Sequence, residues 1–175
     1  MKGVVLYKSK YGATAQYASW IAEALYLPLA DIESANTELL LSKCDFVILG
    51  TPVYVGKMQI SKWLKKHQAQ LLNKKVYFFV VCATSDREKE QQGIIINENV
   101  PEAIIKVSEV FFLAGRVVIN KLSWLDRLTV RMGAMLQKDP AKKAAMLRGF
   151  DGVKRENINP LIKSALRYSN AEVLH

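Results

Sequence analysis

Runs of consecutive apolar residues alternate along this chain with segments whose apolar residues recur at helical spacing. The apolar runs predict strands at residues 3–7, 29–32, 46–50, 76–81 and 110–118. The helical spacing predicts helices at residues 13–25, 37–42, 60–71 and 101–107, and a last helix that begins at Pro160 with Asn159 as its cap; a polar loop is predicted at residues 84–93. Strands that are apolar on both faces need cover on both, and helices that alternate with them supply it. The chain is therefore expected to adopt an α/β fold with a doubly wound, five-stranded parallel sheet.

The composition is that of one globular domain, which we take as residues 1–175. Half of the residues are apolar and 23% are charged, which is typical of a folded domain rather than a disordered one. No leader-like segment opens the sequence, and the apolar runs are too short to cross a bilayer, so a cytoplasmic protein is expected. Cys44 and Cys82 are flanked by apolar residues and are expected to be buried free thiols. With two histidines and no cysteine cluster, no metal site is expected.

A short turn rich in small and hydroxyl residues follows the first strand and leads directly into the first helix. Its residues are Ser9, Lys10, Tyr11, Gly12, Ala13 and Thr14. A helix start carries unpaired backbone N–H groups and a partial positive charge, so it can hold a phosphate, and Gly12 lets the backbone approach the ligand. The turn has neither Gly-x-Gly-x-x-Gly nor Gly-Lys-Ser/Thr, which argues against dinucleotide and P-loop sites. The sequence thus favours a mononucleotide, with an ordinary strand-to-helix connection as the alternative.

Two further loops follow buried strands and are expected at the same end of the sheet. In a doubly wound sheet this end forms the ligand crevice. One loop supplies Pro52, Val53, Tyr54, Val55 and Gly56, and the other supplies Ala83, Thr84 and Ser85. Pro52 and Gly56 shape a tight turn, and Tyr54 offers an aromatic face to a flat heterocycle. Simple packing of Tyr54 is the alternative, but its place opposite a phosphate turn favours a flavin.

The segment between the last strand and the last helix, about residues 120–157, is much longer than such a connection requires. We call it the insertion. From Arg116 to Arg155, ten basic residues stand against three acidic ones, which gives +7 of the chain's net charge of +9. If residues 121–138 are helical, they carry a basic flank beside one apolar arc, which consists of Trp124, Leu125, Leu128, Met132, Met135 and Leu136. Either this is an extra helix packed on the core with a solvated outer face, or it is a lid or interfacial helix that meets lipid, a hydrophobic substrate or the second subunit of a homodimer.

These motifs together resemble the flavodoxin superfamily over essentially the whole chain. The matching motifs are Ser9-x-x-Gly12-x-Thr14 for the FMN phosphate, Thr51-Pro52-Val53-Tyr54 for one side of the isoalloxazine ring and Ala83-Thr84-Ser85 for the other. The resemblance implies FMN as the cofactor and a flavodoxin-like sheet with the strand order 2-1-3-4-5. More narrowly, Ala114-Gly115 followed by Trp124-Leu125-Asp126-Arg127 resembles the branch that includes the menaquinone-dependent protoporphyrinogen dehydrogenases of bacteria.

The branch resemblance implies an FMN-dependent oxidoreductase of heme biosynthesis. Flavin N5 would take the hydride from an anionic, porphyrinogen-like substrate, and a quinone would accept the electrons. No side chain is identified as catalytic, and Arg127 and Arg131 are candidate partners of substrate carboxylates. The positive charge of the insertion is expected to surround the ring and raise its potential. The same charge is expected to attract an anionic membrane surface, which would place the protein peripherally on the inner face of the membrane.

Two other functions stay open at this point. One is a flavodoxin-type carrier that passes electrons to a redox protein. The other is a non-enzymatic module that uses its basic patch to bind an anionic surface. Nucleic acid is not expected as a partner, because the basic segment matches no nucleic-acid motif and has few aromatic residues.

Overall fold

The computed structural model describes residues 2–33, 36–82, 89–136 and 138–171. Its centre is a sheet of five parallel strands with one short antiparallel strand attached. The strands are β1 (Gly3–Tyr7), β2 (Leu29–Asp31), β3 (Phe46–Tyr54), β4 (Lys57–Met58), β5 (Lys75–Cys82) and β6 (Ser108–Ala114). The parallel strands lie in the order β2-β1-β3-β5-β6, and β4 pairs antiparallel with the end of β3. With β4 set aside, this is the predicted order 2-1-3-4-5, so the α/β fold is confirmed.

Helices connect the strands and follow the predicted pattern, apart from the differences given below. Those of the described residues are α1 (Ala13–Leu25), α2 (Thr37–Ser42), α3 (Ser61–Lys66), α4 (Gln68–Leu71), α5 (Lys89–Asn99), α6 (Glu102–Lys106), α7 (Trp124–Leu136), α8 (Pro140–Arg148) and α9 (Asn159–Ala171). The predicted helix at residues 60–71 divides at His67 into α3 and α4. The 3₁₀ turn Arg155–Ile158 runs straight into α9, so Asn159 is helical rather than a cap.

Helix α5 lies partly where the sequence predicted a polar loop. The loop was predicted at residues 84–93, but residues 89–93 are helical. The start of this helix is polar and contains Gly93, so it lacks the apolar stripe by which a helix is recognised in a sequence. The helix forms because Ile95 and Ile96 are buried in the core, and packing of this kind supplies most of the stability of helices in proteins.

The sheet is covered on both faces, because successive residues of a strand point to opposite sides. In β5, Phe78 joins one buried apolar cluster and its neighbour Phe79 joins the other. Leu64 of α3 belongs to the first cluster, and Tyr17 of α1 and Leu161 of α9 belong to the second. Burial of a side chain of this size contributes about 1.5–3 kcal/mol. The two clusters therefore fix the sheet and bring the carboxyl ends of its strands to one edge.

The predicted strand at residues 110–118 is interrupted, and its last residues form the base of the insertion. β6 ends earlier, and β7 (Arg116–Val117) pairs antiparallel with β8 (Phe150–Asp151). Arg116 Nε donates to Asp151 Oδ2 at 2.7 Å. The pairing brings the two ends of the insertion together, so α7 and α8 stand over the carboxyl ends of the sheet strands.

A buried tyrosine ties the returning end of the insertion to the sheet. The hydroxyl of Tyr17 donates to the carbonyl oxygen of Ala114 at 2.9 Å and accepts from Asn157 Nδ2 at 2.7 Å. Asn157 Nδ2 also donates to the carbonyl oxygen of Gly152 at 2.9 Å. These bonds hold α1, the end of β6 and the residues after β8 together, which fixes the base from which α7 and α8 project.

Candidate functional site

Residues 9–14, which we call the phosphate loop, join β1 to α1. Gly12 stands at the N-cap of α1 with φ 86°, a left-handed conformation that glycine adopts without steric cost. Within this fully described stretch, no side chain caps the start of α1. The first N–H groups of the helix therefore remain available to an external anion. Gly12 N donates to Ser9 Oγ at 3.2 Å and Thr14 is buried, so the loop is held in this shape by its own contacts.

The second predicted loop is a β-hairpin, formed by the end of β3 and β4. Val55 and Gly56 occupy its two central positions with φ 50° and 72°, which indicates a type I′ turn. Glycine suits this conformation, whereas the β-branched Val55 is strained in it by about 1–2 kcal/mol. Val55 is 79% exposed, so burial does not offset the strain. The hairpin keeps a strained residue at the end of β3, beside Tyr54.

The buried amide of Asn99 holds this hairpin against α5. Asn99 Nδ2 donates to the carbonyl oxygens of Gly56 at 2.7 Å and Ile95 at 2.8 Å. Its Oδ1 accepts from Met58 N at 3.0 Å and from Ser61 Oγ at 3.1 Å. Both donors of the amide and both acceptor sites of its oxygen are thus used. Sequence reasoning missed Asn99, because nothing in its spacing marks it and its partners lie some forty residues away.

A cleft of about 360 Å³ lies between the carboxyl ends of the strands and the insertion. The sheet side of the cleft is formed by Ser9, Tyr11, Ala13, Thr14, Pro52, Val53, Tyr54, Val55, Val81, Cys82 and Gly115. The insertion and its base supply the other side, which we call the roof: Arg116, Val117, Leu122, Asp126, Thr129, Val130, Gly133, Met146 and Phe150. Most of the wall is apolar. A cleft of this size and lining suits a flat, largely apolar ligand with a polar tail.

Part of the predicted site does not line this cleft. Lys10, Gly12 and Gly56 belong to the two loops but are not in its wall. The third predicted loop, Ala83, Thr84 and Ser85, lies outside the described residues. Cys82, the last residue of β5, lines the cleft; Cys82 and Cys44 are both buried and form no disulfide, as the sequence predicted.

Asp126, in the first turn of α7, joins the roof to the phosphate loop. Its Oδ2 accepts hydrogen bonds from Lys10 Nζ at 2.6 Å and from the Tyr11 hydroxyl. Tyr11 packs its edge against Tyr54, with ring centroids 6.0 Å apart. The bonds from Lys10 and Tyr11 lower the pKa of Asp126, and the bond to Asp126 raises the pKa of Lys10. Burial raises the pKa of Tyr54 to about 12. At neutral pH the ion pair is therefore fully charged and the Tyr54 phenol is neutral.

Two cations at the cleft, Arg116 and Lys10, are each paired with a carboxylate, whereas the sequence predicted an excess of positive charge around the ring. Arg116 lines the cleft but is paired with Asp151 at 2.7 Å. Lys10 is paired with Asp126 at 2.6 Å. The sequence could not show this pairing, because neither pair is close in the chain and each forms only when the insertion folds back on the sheet.

A smaller recess of about 40 Å³ lies beside the cleft. It shares Tyr11, Arg116 and Leu122 with the cleft and is completed by Val118 and Lys121. The recess brings two cationic side chains, Arg116 and Lys121, to one side of the larger cleft.

Helix α7 turns different faces to the cleft and to solvent. Val130 and Gly133 line the cleft, and Ala134 is buried. Arg127 and Arg131 do not line it, so their contact with a substrate stays a prediction. The predicted apolar arc of α7 is exposed, with side chains that are 49–83% accessible. α7 therefore does not pack on the core through this arc. The first alternative, an extra helix packed on the core by its apolar arc, required such packing.

Two other features bear on the function. Among the described residues, none of the helices combines the length and the hydropathy that a bilayer span requires. In the same part of the chain, no three side chains of His, Cys, Asp or Glu are grouped so that they could hold a metal ion.

The fold and the cleft define a doubly wound α/β protein with a mononucleotide-type site at the carboxyl ends of its strands. The family model of the flavodoxin domain matches residues 4–143, and the chain belongs to this family. Flavodoxin-domain proteins are FMN-binding flavoproteins, which confirms FMN as the cofactor. The residues present fit this group, because the uncapped start of α1 suits its phosphate and the apolar cleft suits its ring.

Solved structures align with this chain at low sequence identity. The rubredoxin:oxygen oxidoreductase of Desulfovibrio gigas aligns with a TM-score of 0.50 at 16% identity, over 83% of this chain and 37% of that one. A WrbA-like flavodoxin from Agrobacterium tumefaciens aligns with a TM-score of 0.45 at 20% identity, over 73% and 88% of the two chains. The Megasphaera elsdenii flavodoxin aligns with a TM-score of 0.45 at 17% identity, over 65% and 83%. The comparison with curated proteins gave no match.

Proposed function

We propose that this protein is an FMN-dependent oxidoreductase of the protoporphyrinogen dehydrogenase type, which oxidises an anionic, porphyrinogen-like substrate and reduces a quinone. The observation that carries the proposal is the roof, because the insertion closes an apolar cleft over the candidate flavin site. A flavin that only exchanges electrons with protein partners has no need of an apolar roof over its site. A roof of this kind suits a hydrophobic small molecule that meets the flavin there.

In this proposal the phosphate loop holds the FMN phosphate through the first N–H groups of α1 and the hydroxyls of Ser9 and Thr14. Tyr54 forms part of the wall beside the ring and stays neutral at physiological pH. Val130 and Met146 of the roof exclude water from the space where the substrate binds. Bound FMN supplies the acceptor for the electron pair that leaves the substrate. The pair and its protons end on the quinone, which becomes a quinol.

Carboxylates of the substrate require cations, and Arg116 lines the cleft while Lys121 lines the recess beside it. Arg116 is already paired with Asp151, whereas Lys121 is exposed at the recess beside the cleft. We therefore assign the main carboxylate contact to Lys121, with Arg127 and Arg131 as outer partners.

The exposed face of α7 supports binding to an anionic membrane. Its apolar arc is accompanied in the insertion by exposed cations: Lys121, Arg131, Lys138, Lys143 and Arg148. Apolar side chains that enter a leaflet and cations that meet its headgroups are the two features of an interfacial helix. A quinone dissolved in that leaflet would then lie close to the cleft.

The catalytic proposal is tested with FMN-loaded protein under anaerobic conditions. With protoporphyrinogen and a menaquinone analogue, we expect porphyrin fluorescence to rise above the control without protein. Val130→Glu places a charge in the apolar wall and is expected to lower turnover at least about tenfold. Leu166→Glu, at an exposed position of α9, is the matched control and is expected to leave turnover unchanged. No porphyrin above the control with FMN-loaded protein would overturn the proposed substrate.

Membrane binding has its own test, flotation with vesicles. Wild-type protein is expected to float with vesicles rich in phosphatidylglycerol and to stay behind with pure phosphatidylcholine. A double variant, Leu128→Asp with Met132→Asp, is expected to lose binding, whereas Leu166→Asp keeps it because Leu166 lies outside the insertion. Equal binding by the double variant and the control would remove α7 as the membrane surface.

A flavodoxin-type electron carrier is the second candidate function. The pairing of Arg116 and Lys10 favours it, because paired cations attract an anionic substrate less than unpaired ones. A carrier in its reduced form would reduce an iron–sulfur or cytochrome partner, and it would give no porphyrin in the assay above. Porphyrin formation and reduction of a protein partner, measured side by side, therefore distinguish the oxidoreductase from the electron carrier.

A further inference from the structure

The start of α7 is seated directly on the phosphate loop. Asp126 Oδ2 accepts from Lys10 Nζ at 2.6 Å and from the Tyr11 hydroxyl, across more than a hundred residues of sequence. The backbone N–H of Ser123 donates to the same Tyr11 hydroxyl at 3.1 Å. Ser123 Oγ accepts from Asp126 N at 3.2 Å, as an N-cap does. The capped start of the helix and the tip of the loop thus form one hydrogen-bonded cluster.

This cluster differs from an ordinary surface ion pair. The Asp126 side chain is 24% exposed, and it bonds a cation and a hydroxyl at once. Lys10 Nζ also lies 5.4 Å from the centre of the Tyr54 ring, and Tyr11 packs its edge on that ring. The cluster therefore joins three parts of the candidate site: the phosphate loop, the hairpin and the roof.

The other α7 residues that line the cleft are Thr129, Val130 and Gly133, which are small or apolar, and the neighbouring Ala134 is buried. Apolar contacts are not directional, so they leave the start of the helix free to shift over the cleft. Hydrogen bonds to an ionised carboxylate are directional and about twice as strong as neutral ones. The position of the roof at this end is therefore set mainly by the two bonds of Asp126, with the bond from Ser123 N to Tyr11 beside them.

We propose that Asp126 is a latch, a positioning residue that fixes the roof over the cleft and so retains the bound cofactor. The inference rests on the proposed FMN site. Lys10 and Tyr11 belong to the loop that grips the phosphate, and Asp126 belongs to the helix that covers the ring. Opening the latch frees the roof and loosens the tip of the loop together, so cofactor release requires that the Asp126 bonds break.

The test compares Asp126→Asn with Glu102→Gln, which removes the carboxylate of a distant exposed pair with Lys106 and so makes the same change in net charge. Hydrogen exchange of the FMN-free protein, read by mass spectrometry, is expected to become faster in α7 of Asp126→Asn and to stay unchanged in the control. Release of FMN into an excess of a scavenger flavoprotein is expected to be about tenfold faster, as for the loss of one charge-assisted hydrogen bond. Tyr11→Phe removes the bond to Asp126 and the bond that Tyr11 accepts from Ser123 N, but it keeps the ion pair of Asp126 with Lys10, so a smaller acceleration of both is expected.

Each outcome decides the proposal. Unchanged exchange of α7 in both Asp126→Asn and Tyr11→Phe would overturn the latch. Faster exchange with unchanged FMN release would overturn its role in retaining the cofactor. If Asp126→Asn fails to fold, Tyr11→Phe carries both measurements. A wild-type protein that binds no FMN would overturn the proposed function, and the exchange experiment would still support or refute the latch.

Discussion

Replacing Asn99 with alanine tests whether the hairpin of the candidate site depends on one buried side-chain amide. Asn99 is 4% exposed and makes two hydrogen bonds as donor and two as acceptor. The substitution leaves Met58 N and the carbonyl oxygen of Gly56 without these partners, and each buried polar group that loses its partner costs about 1–3 kcal/mol. We expect the free energy of unfolding to fall by about 3 kcal/mol.

Urea unfolding followed by tryptophan fluorescence measures this loss. With an m-value of about 2 kcal/mol/M, a loss of about 3 kcal/mol moves the midpoint by about 1.5 M. Asn36→Ala is the matched control, because Asn36 makes a single exposed capping bond with Leu39 N at 3.2 Å, and its loss costs about 1 kcal/mol.

The refuting result is a loss of stability for Asn99→Ala that is no larger than for Asn36→Ala. A fluorescence titration with FMN adds a second reading. The affinity is expected to weaken only in the Asn99 variant, because Tyr54 and Val55 at the cleft belong to the hairpin that Asn99 holds. An unchanged affinity for FMN would show that the hairpin does not contribute to cofactor binding.

Four further predictions concern backbone conformation and pH. Val55→Asn is expected to stabilise the protein by about 1 kcal/mol and to raise Tm by about 2–4 °C in a thermal melt, because asparagine tolerates the left-handed conformation; a lower Tm would contradict the strain. Gly149→Ala is expected to destabilise by at least about 2 kcal/mol, since an added Cβ would lie 2.4 Å from the carbonyl oxygen of Val117. Gly93→Ala, in a helix with open space around it, is expected to stabilise by about 0.5–1 kcal/mol; chemical denaturation of the two variants should give opposite signs. The pKa of Asp126 in the folded protein lies below its ordinary 3.8. The stabilisation contributed by the charged carboxylate is therefore complete well above pH 3.8. It is lost as the pH falls through 3.8 to the lower pKa of the folded state. The stability difference between wild type and Asp126→Asn should therefore shrink below about pH 4, and a difference that is independent of pH would rule out the charged latch.

The parts of the site that could be predicted are those that depend on local sequence. The phosphate loop and the bounds of α1 follow from an apolar strand, a glycine and a helical stripe that are adjacent in the chain. The position of Tyr54 at the cleft follows in the same way from the end of a buried strand. These features are local, so residue type and spacing were enough to find them.

The parts that could not be predicted depend on contacts between distant residues. Asn99 carries no signal of its own, because its role comes from partners in the hairpin. The positive charge of the insertion was visible, but its pairing was not, since Lys10 meets Asp126 only after the chain has folded. The apolar arc of α7 was found correctly as an arc, yet its exposure depends on which other face meets the cleft.

The sequence by itself determined the α/β class, the strand order implied by the family resemblance and a helix start suited to a phosphate. These features could be predicted because periodicity and turn chemistry depend on residues that are neighbours in the chain. Only the tertiary structure decided that the insertion becomes a roof, that Asp126 meets the phosphate loop and that Arg116 pairs with Asp151 beside the cleft. The physical reason is that burial, ion pairing and the walls of a cleft are properties of surfaces brought together by the packed core. Residues that are distant in the chain come together in one site only after this packing.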